Sequence, residues 1–259
     1  MLSNLDRWLA PAPDPARVAW LRAHIYAHRG KHGGALVENS PGACAAAIAA
    51  GLGIECDVQQ SADGRAIVFH DARLDRLTEE SGALAERLAS DLARIALRGS
   101  TDRIPTLRGL LALVAGRVPL LIEIKSRSGR SALPLCRAVL HDLDGYQGQH
   151  AVMSFDPSVP NWFSRHAPET LRGLVITEAN TRTLAGGLRR RLSLWRARPD
   201  FLAYDVRDLP SRFAEAQRRR GLPLLTWTVS TRALLKQAQD CAAGPIAEAE
   251  GLAAALETH

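Results

Sequence analysis

Lysine is nearly absent from this chain. Of its 33 basic residues only Lys31, Lys125 and Lys236 are lysines, so arginine carries almost all of the formal net charge of +6. Fixed positive charge favours anionic ligands or surfaces, and nothing in its distribution here singles out nucleic acid. Cysteine is also scarce. Cys44, Cys56, Cys136 and Cys241 lie far apart and form no C-x-x-C pair, which reads as reduced, buried small residues of a cytosolic protein rather than a disulfide framework. No segment approaches the roughly 18 consecutive apolar residues of a membrane span. The opening M-L-S-N-L-D-R-W-L-A-P places Asp6 and Arg7 inside its only apolar patch, so the continuous apolar region of a secretory signal is missing. A cytoplasmic location is expected. No G-x-G-x-x-G follows the first apolar run, which argues against a doubly wound dinucleotide-binding sheet.

What is present is an ordinary globular composition, 46% hydrophobic and 23% charged over 259 residues, without a low-complexity tract. The length matches the roughly 250 residues of an eightfold β/α barrel, and a single domain over 1–259 is expected. Short apolar runs at Ile25–Ala27, in both arms of Gly53–Asp71, and at Pro119–Lys125, Ala151–Phe155, Gly173–Thr177, Phe201–Val206 and Pro223–Val229 make eight strands, with helical segments between most of them. That alternation predicts a TIM-type (β/α)8 barrel. It is a distorted one, because the second and third strands are separated by too few residues for a parallel crossover and must form a hairpin. Leu2–Ala10 and Pro15–His24 read as capping helices, and Ala72–Arg103 as irregular with a short helix near Ser90–Leu97. Ser40 and Pro41 read as N-cap and first residue of a helix continuing over Ala43–Ala50.

The hairpin G-I-E-C-D-V-Q-Q-S-A-D-G-R-A-I-V-F-H-D carries ionisable groups where a core strand should be apolar. Glu55 and Asp57 share a face by the period of two. A two-residue turn at Asp63-Gly64 would set Asp57 opposite His70. Glu123 and Lys125 alternate in the same way on the fourth strand, and His28-Arg29 end the first. In β/α barrels catalytic groups sit at the C-terminal ends of strands. Three carboxylates in one confined pocket cannot all stay ionised without a cation. Hard oxygen donors point to Mg²⁺, Ca²⁺ or Mn²⁺. Such an ion with Arg29 and Lys125 makes a positive focus for a phosphate, and two imidazoles beside it suit acid–base work.

In order and spacing, A-H-R-G (Ala27–Gly30), E-N-S (Glu38–Ser40), G-I-E-C-D-V-Q (Gly53–Gln59), V-F-H-D (Val68–Asp71), I-P-T-L (Ile104–Leu107), L-I-E-I-K (Leu121–Lys125), S-F (Ser154-Phe155) and W-T-V (Trp227–Val229) resemble the glycerophosphodiester phosphodiesterases. The resemblance implies a TIM-type barrel that hydrolyses glycerophosphodiesters to an alcohol and sn-glycerol 3-phosphate. It implies Glu55, Asp57 and Glu123 as ligands of one divalent cation, and His28 and His70 as the acid–base pair. Arg29 and Lys125 would hold the phosphate, with Glu38, Asn39 and Trp227 in support. Substrate selection would fall to Lys31–Leu36, Tyr204 and Trp227. The family's aspartate-containing closing segment has no counterpart in Asp240–Gly251, D-C-A-A-G-P-I-A-E-A-E-G. Other readings are a lysophospholipase D or another lipid head-group phosphodiesterase, buried ion pairs in place of a metal site, and a catalytically silent phosphate-binding barrel. The stripe Leu184, Leu188, Leu192 and Trp195 with its nearby arginines is expected to face the core as part of an outer barrel helix, with a membrane-surface helix as the alternative.

Overall fold

The computed structural model describes residues 2–126, 129, 131–179 and 181–258. The chain divides into two compact units, Tyr26–His150 and the combination of Met1–Ile25 with Ala151–His259. At the N-terminus stand α1 (Leu2–Leu9) and the short α2 (Pro15–Val18), which Asp14 caps by accepting from the Ala16 N–H at 2.9 Å. The expected helix over Pro15–His24 is thus one α-helical turn followed by a 3-10 turn over Ala19–Arg22.

The unit Tyr26–His150 contains β1 (Tyr26–Ala27), α3 (Pro41–Ala49), β2 (Gly53–Gln60), β3 (Ala66–Val68), α4 (Ala89–Leu92), α5 (Leu107–Val114), β4 (Leu120–Ile124) and α6 (Leu133–Leu143). Ser40 caps α3 through Oγ to the Ala43 N–H at 3.0 Å and Pro41 opens it, as the sequence predicts. Strand β2 is the centre of this unit. It pairs in parallel with β1 and with β4, and antiparallel with β3.

The other unit runs β5 (His150–Ser154), α7 (Ser158–His166), β6 (Leu171–Ile176), α8 (Leu184–Ala197), β7 (Phe201–Asp205), α9 (Arg212–Arg219), β8 (Leu224–Val229), α10 (Arg232–Asp240), β9 (Gly244–Ala247) and α11 (Ala249–Glu257). Here β5 to β9 pair in parallel in sequence order. Among the described residues this makes eight parallel strands and one antiparallel addition, the strand content of a distorted TIM-type (β/α)8 barrel.

Two expectations change. The antiparallel β3 is an addition to the parallel set rather than one of its eight members, and the eighth member is β9. That strand was invisible in sequence because G-P-I-A is only four residues long and contains proline, which normally demotes a strand. The hairpin turn is three residues, Ala62-Asp63-Gly64, with Gly64 at φ +80° and its N–H donating to the Ser61 carbonyl at 3.0 Å. A three-residue loop ending in a left-handed glycine is a common hairpin closure. Its extra residue slips the register by one: Val58 faces Val68, and the Phe69 N–H donates to the Asp57 carbonyl at 3.0 Å. Asp57 is therefore paired with Phe69, and His70 lies just beyond the strand.

The irregular stretch after the hairpin has its own small core. Leu74, Leu84, Leu92 and Leu97 are buried against Ile67, Phe69 and Ile104. It is a strap held down by apolar side chains, with a 3-10 turn over Leu84–Glu86 and one α-helical turn over Ala89–Leu92 in place of the helix expected near Ser90–Leu97.

Candidate active site

The site gathers on β2 and its neighbours in the unit Tyr26–His150. In the parallel pairing of β2 with β4, Asp57 lies directly opposite Glu123, and side chains opposed in a sheet share a face. Glu55 is two residues before Asp57 and Lys125 two after Glu123, so the period of two brings all four together. Their burial is nearly complete for the three acids. Carboxylate oxygens of Glu55, Asp57 and Glu123 lie within 4.8 Å of one another.

The chain's own cations are threaded through this cluster. Lys125 Nζ sits 2.7 Å from Asp57 Oδ1 and also binds Glu123 Oε1. Arg29 Nε is 3.1 Å from Asp57 Oδ2, while its backbone N–H donates to Glu55 Oε2 at 3.1 Å. Arg29 also donates to Glu38 Oε1 at 2.8 Å. Asn39 holds Asp57 at two points, its amide donating to Oδ2 at 2.9 Å and its carbonyl oxygen accepting the Asp57 N–H at 3.2 Å.

Charge decides what these acids do. Burial pushes the Glu55 carboxyl well above the usual range, and the neighbouring Asp57 and Glu123 push it further. Burial likewise raises Glu123 despite Lys125. Burial works against ionised Asp57 too, but Lys125 and Arg29 overcome it and hold this carboxyl below its ordinary value. Burial resists the Lys125 charge, yet Asp57 and Glu123 raise its ammonium above its ordinary value and keep it protonated throughout the physiological range. Ion pairs, the alternative reading of the cluster, thus exist within it, but Arg29 and Lys125 cannot balance three ionised acids, and Arg29 is shared with a fourth, Glu38.

The backbone around Arg29 is unusual. Arg29 and Asn39 adopt φ of 56° and 59°, and the Asn39 N–H donates to the Arg29 carbonyl at 2.8 Å. Asparagine tolerates this region; arginine does so at a cost. Between them Gly30 packs so tightly on α3 that a Cβ would come 2.9 Å from the Ala43 carbonyl carbon. The loop after β1 is over-determined, which aims Arg29 at the acids.

His28 follows β1 directly and is half-buried. His70 reaches the acids from the bend after β3, where Asp57 lies within electrostatic reach of it. Its Nδ1 is 2.7 Å from Asp71 Oδ1. Burial lowers the His70 pKa, Lys125 and Arg29 lower it further, and Asp57 and Asp71 oppose them. Gln59 fixes the same bend by donating from Nε2 to the His70 carbonyl at 2.7 Å.

Two residues that sequence reasoning left without a role complete the arrangement. Arg76 grips Asp71 with both ends of its fork, Nε to Oδ2 at 2.6 Å and Nη2 to Oδ1 at 2.9 Å. It grips Glu38 the same way, Nη1 to Oε2 at 2.9 Å and Nη2 to Oε1 at 2.7 Å. Those bonds bring the Asp71 carboxyl down to about 2. A continuous chain of charges therefore runs His70–Asp71–Arg76–Glu38–Arg29–Asp57. The only sequence signal was the aspartate of V-F-H-D.

The remaining expectations fall in the other unit. Trp227 lies near the end of β8, its indole N–H donating to the Ala203 carbonyl at 3.0 Å and its ring edge-to-face with Phe155 at 5.4 Å. Tyr204 is corrected: it is fully buried on β7 in a core cluster with Leu194, Leu209 and Ala214, its hydroxyl bonded to Glu178 and Ser211. The alternation of β7 turns it toward the helices, so it is a core residue and has no part in a substrate loop.

Comparison with known proteins gives the family and the fold. A model of the glycerophosphoryl diester phosphodiesterase family matches residues 28–247. The Bacillus subtilis protein YhdW is 27% identical over 218 residues, 81% of this chain and 87% of that protein. A glycerophosphodiester phosphodiesterase of Bacillus altitudinis is 35% identical over 111 residues, 40% of this chain and 45% of that one. Among solved structures, an Oleispira antarctica phosphodiesterase in complex with the product sn-glycerol-3-phosphate has a TM-score of 0.79 at 19% identity, over 93% of this chain and 99% of that one. At that identity the likeness is one of fold.

Proposed function

Since the chain belongs to the glycerophosphoryl diester phosphodiesterase family, a family of phosphoric diester hydrolases, we propose that it hydrolyses glycerophosphodiesters to an alcohol and sn-glycerol 3-phosphate, using one divalent cation and the imidazoles of His28 and His70. The observation that carries this reading is the buried triad Glu55, Asp57 and Glu123, with its oxygens within 4.8 Å of one another and one charge more than Arg29 and Lys125 can balance.

The donor set fits Mg²⁺, Ca²⁺ or Mn²⁺. All three side chains offer hard oxygens, and Glu55, disfavoured as an anion by burial and by its two acidic neighbours, becomes a good ligand once a cation lies beside it. When bound, the ion would supply Lewis-acid polarisation of a phosphoryl oxygen. The protein's own groups do the rest. Arg29 and Lys125 present fixed positive charge to the remaining phosphate oxygens. Asn39 keeps the Asp57 carboxylate aimed by donating to Oδ2 while accepting the Asp57 backbone N–H. His70, oriented by Asp71 and biased toward its neutral form, and His28 at the end of β1 are the groups that take a proton from the attacking hydroxyl and return one to the leaving alkoxide.

A coupled assay for glycerol 3-phosphate on glycerophosphocholine, glycerophosphoethanolamine and glycerophosphoglycerol, with and without chelator, tests the reading. Turnover should require the ion and should fall by about 10²–10⁴-fold in His70→Ala. Full activity after chelation, or in Glu55→Gln, would defeat the metal-dependent mechanism.

A further inference from the structure

Of the stripe on α8, Trp195 packs against the core as expected, but the three leucines do not. Leu184 is 97% exposed, Leu188 54% and Leu192 52%. They follow one another a turn apart along a single row. Helix α1 packs on α8 and adds Trp8, 77% exposed, and Leu5. Among the described residues eight large apolar side chains are exposed, and five of them are on these two helices. That is a concentrated apolar face rather than the scattered leucines of any soluble surface.

Its charge is of one sign. Arg7 on α1, Arg189 and Arg196 on α8, and Arg182 just before α8 are all exposed. Helix α8 contains no acidic residue, and the only one in α1, Asp6, is buried, where it pairs with Arg191 and accepts from the Trp195 indole at 2.8 Å and from Gln217 at 3.0 Å. Those bonds fasten α1 to α8 while removing the one carboxylate from solvent. Beside the helices opens a groove of about 1090 Å³ in which Arg17, Arg165, Arg196 and Arg198 outnumber its two acids, the exposed Asp14 and the buried Asp200. Leucines in a row, an outward tryptophan and arginines on helices that expose no acid of their own are the composition of a surface that lies in the interface of an anionic bilayer.

We propose that the α1–α8 face docks on an anionic lipid surface. Leu184, Leu188, Leu192 and Trp8 enter the boundary between headgroups and acyl chains, and Arg189 and Arg196 meet the lipid phosphates. Charge complementarity selects this occupant over a second copy of the chain. A twofold contact would set the same arginines against each other with no carboxylate on either helix to pair with them. The inference rests on the surface alone and does not depend on the hydrolytic reading.

Co-sedimentation of the full chain with phosphatidylcholine vesicles, and with vesicles containing phosphatidylglycerol, tests it. The chain should partition onto the anionic vesicles and be released by raised salt. Leu188→Asp/Leu192→Asp should lose at least about tenfold in partition, because burying a leucine is worth roughly 1.5–3 kcal/mol. Arg189→Gln/Arg196→Gln should lose about fivefold per arginine, from about 1 kcal/mol per basic residue near such a surface. Circular dichroism and hydrolysis of glycerophosphocholine should be unchanged in both, since these side chains are exposed and lie outside the candidate active site. Equal partition onto both vesicle types, or wild-type partition by Leu188→Asp/Leu192→Asp, overturns the proposal. So does a concentration-dependent dimer that this variant abolishes without any preference for anionic vesicles, which would give the face to a second copy.

Discussion

At the scale of single residues, the hold of Asp71 on His70 has a direct kinetic consequence. The Asp71 carboxylate stabilises the imidazolium, against burial and against the charges of Lys125 and Arg29. Removing that charge in Asp71→Asn should lower the His70 pKa further. Whichever role His70 plays, the limb of the kcat/KM profile that it controls should move to lower pH: the acid limb if it is the base, the alkaline limb if it is the acid. The same profile therefore assigns the role. An unmoved profile in Asp71→Asn would separate His70 from catalysis. Arg76→Gln should move the same limb the other way, to higher pH, because it removes a cation that shares the Asp71 carboxylate and leaves that charge to His70. Glu55, Asp57, Glu123 and Lys125 were legible in sequence as one face because a strand's period of two turns spacing into geometry, whereas Arg29 is aimed by the left-handed loop after β1. Arg76 was not legible, because it lies in a segment with no period, and only the fold brings its guanidinium between Asp71 and Glu38.

At the scale of elements, the strap over Ala72–Arg103 determines how firmly that guanidinium is presented. Leu74 and Leu92 are its fully buried anchors, and backbone bonds such as the Leu84 N–H to the Ala72 carbonyl at 3.0 Å and the Leu97 N–H to the Asp102 carbonyl at 2.8 Å tie it together, so packing and hydrogen bonding order it jointly. Leu74→Ala should lower unfolding free energy in urea by about 2–5 kcal/mol, the usual cost of deleting a buried leucine side chain. Activity should fall at temperatures where the fold persists, as Arg76 loses its place. A stability loss within about 0.5 kcal/mol would show that the strap contributes nothing beyond an exposed surface loop. The strap's apolar residues are irregularly spaced, so the sequence displayed them as a loop. The hairpin beside it was legible in kind but not in register, because Asp63-Gly64 suits a two-residue turn and a three-residue one equally well. The single added residue moved His70 off the ladder and gave its role of pairing with Asp57 to Phe69. Strand β9 was missed for a different reason: parallel pairing against β8, not residue preference, makes G-P-I-A extended.

At the scale of the whole molecule, stability should be linked to the divalent cation and, through it, to pH. Without the ion, Glu55 and Glu123 have folded-state pKa values raised above those of the unfolded chain, chiefly by burial. A raised carboxyl binds more protons folded than unfolded, so its contribution to stability is greatest at low pH and declines as pH rises through the unfolded value of about 4.3 and beyond. Asp57, whose pKa is lowered by Lys125 and Arg29, has the opposite sign and loses its contribution only as pH falls below the ordinary carboxylate range. An ion bound by the three carboxylates requires them ionised, so binding must release protons and must strengthen with pH. Thermal melts with Mg²⁺, Ca²⁺ or Mn²⁺ should therefore show a rise in Tm that grows from pH 5 to pH 7. At a hundredfold excess over Kd the ion contributes about 2.7 kcal/mol, which for a chain of this size is on the order of 5–10 °C. Glu55→Gln removes one ligand together with the group whose burial is most costly as an anion. It should be at least as stable as wild type without the ion and respond to the ion far less. If Tm ignores all three ions at every pH, the triad is a set of ion pairs completed by Arg29 and Lys125. If Glu55→Gln responds as wild type does, the ion binds elsewhere.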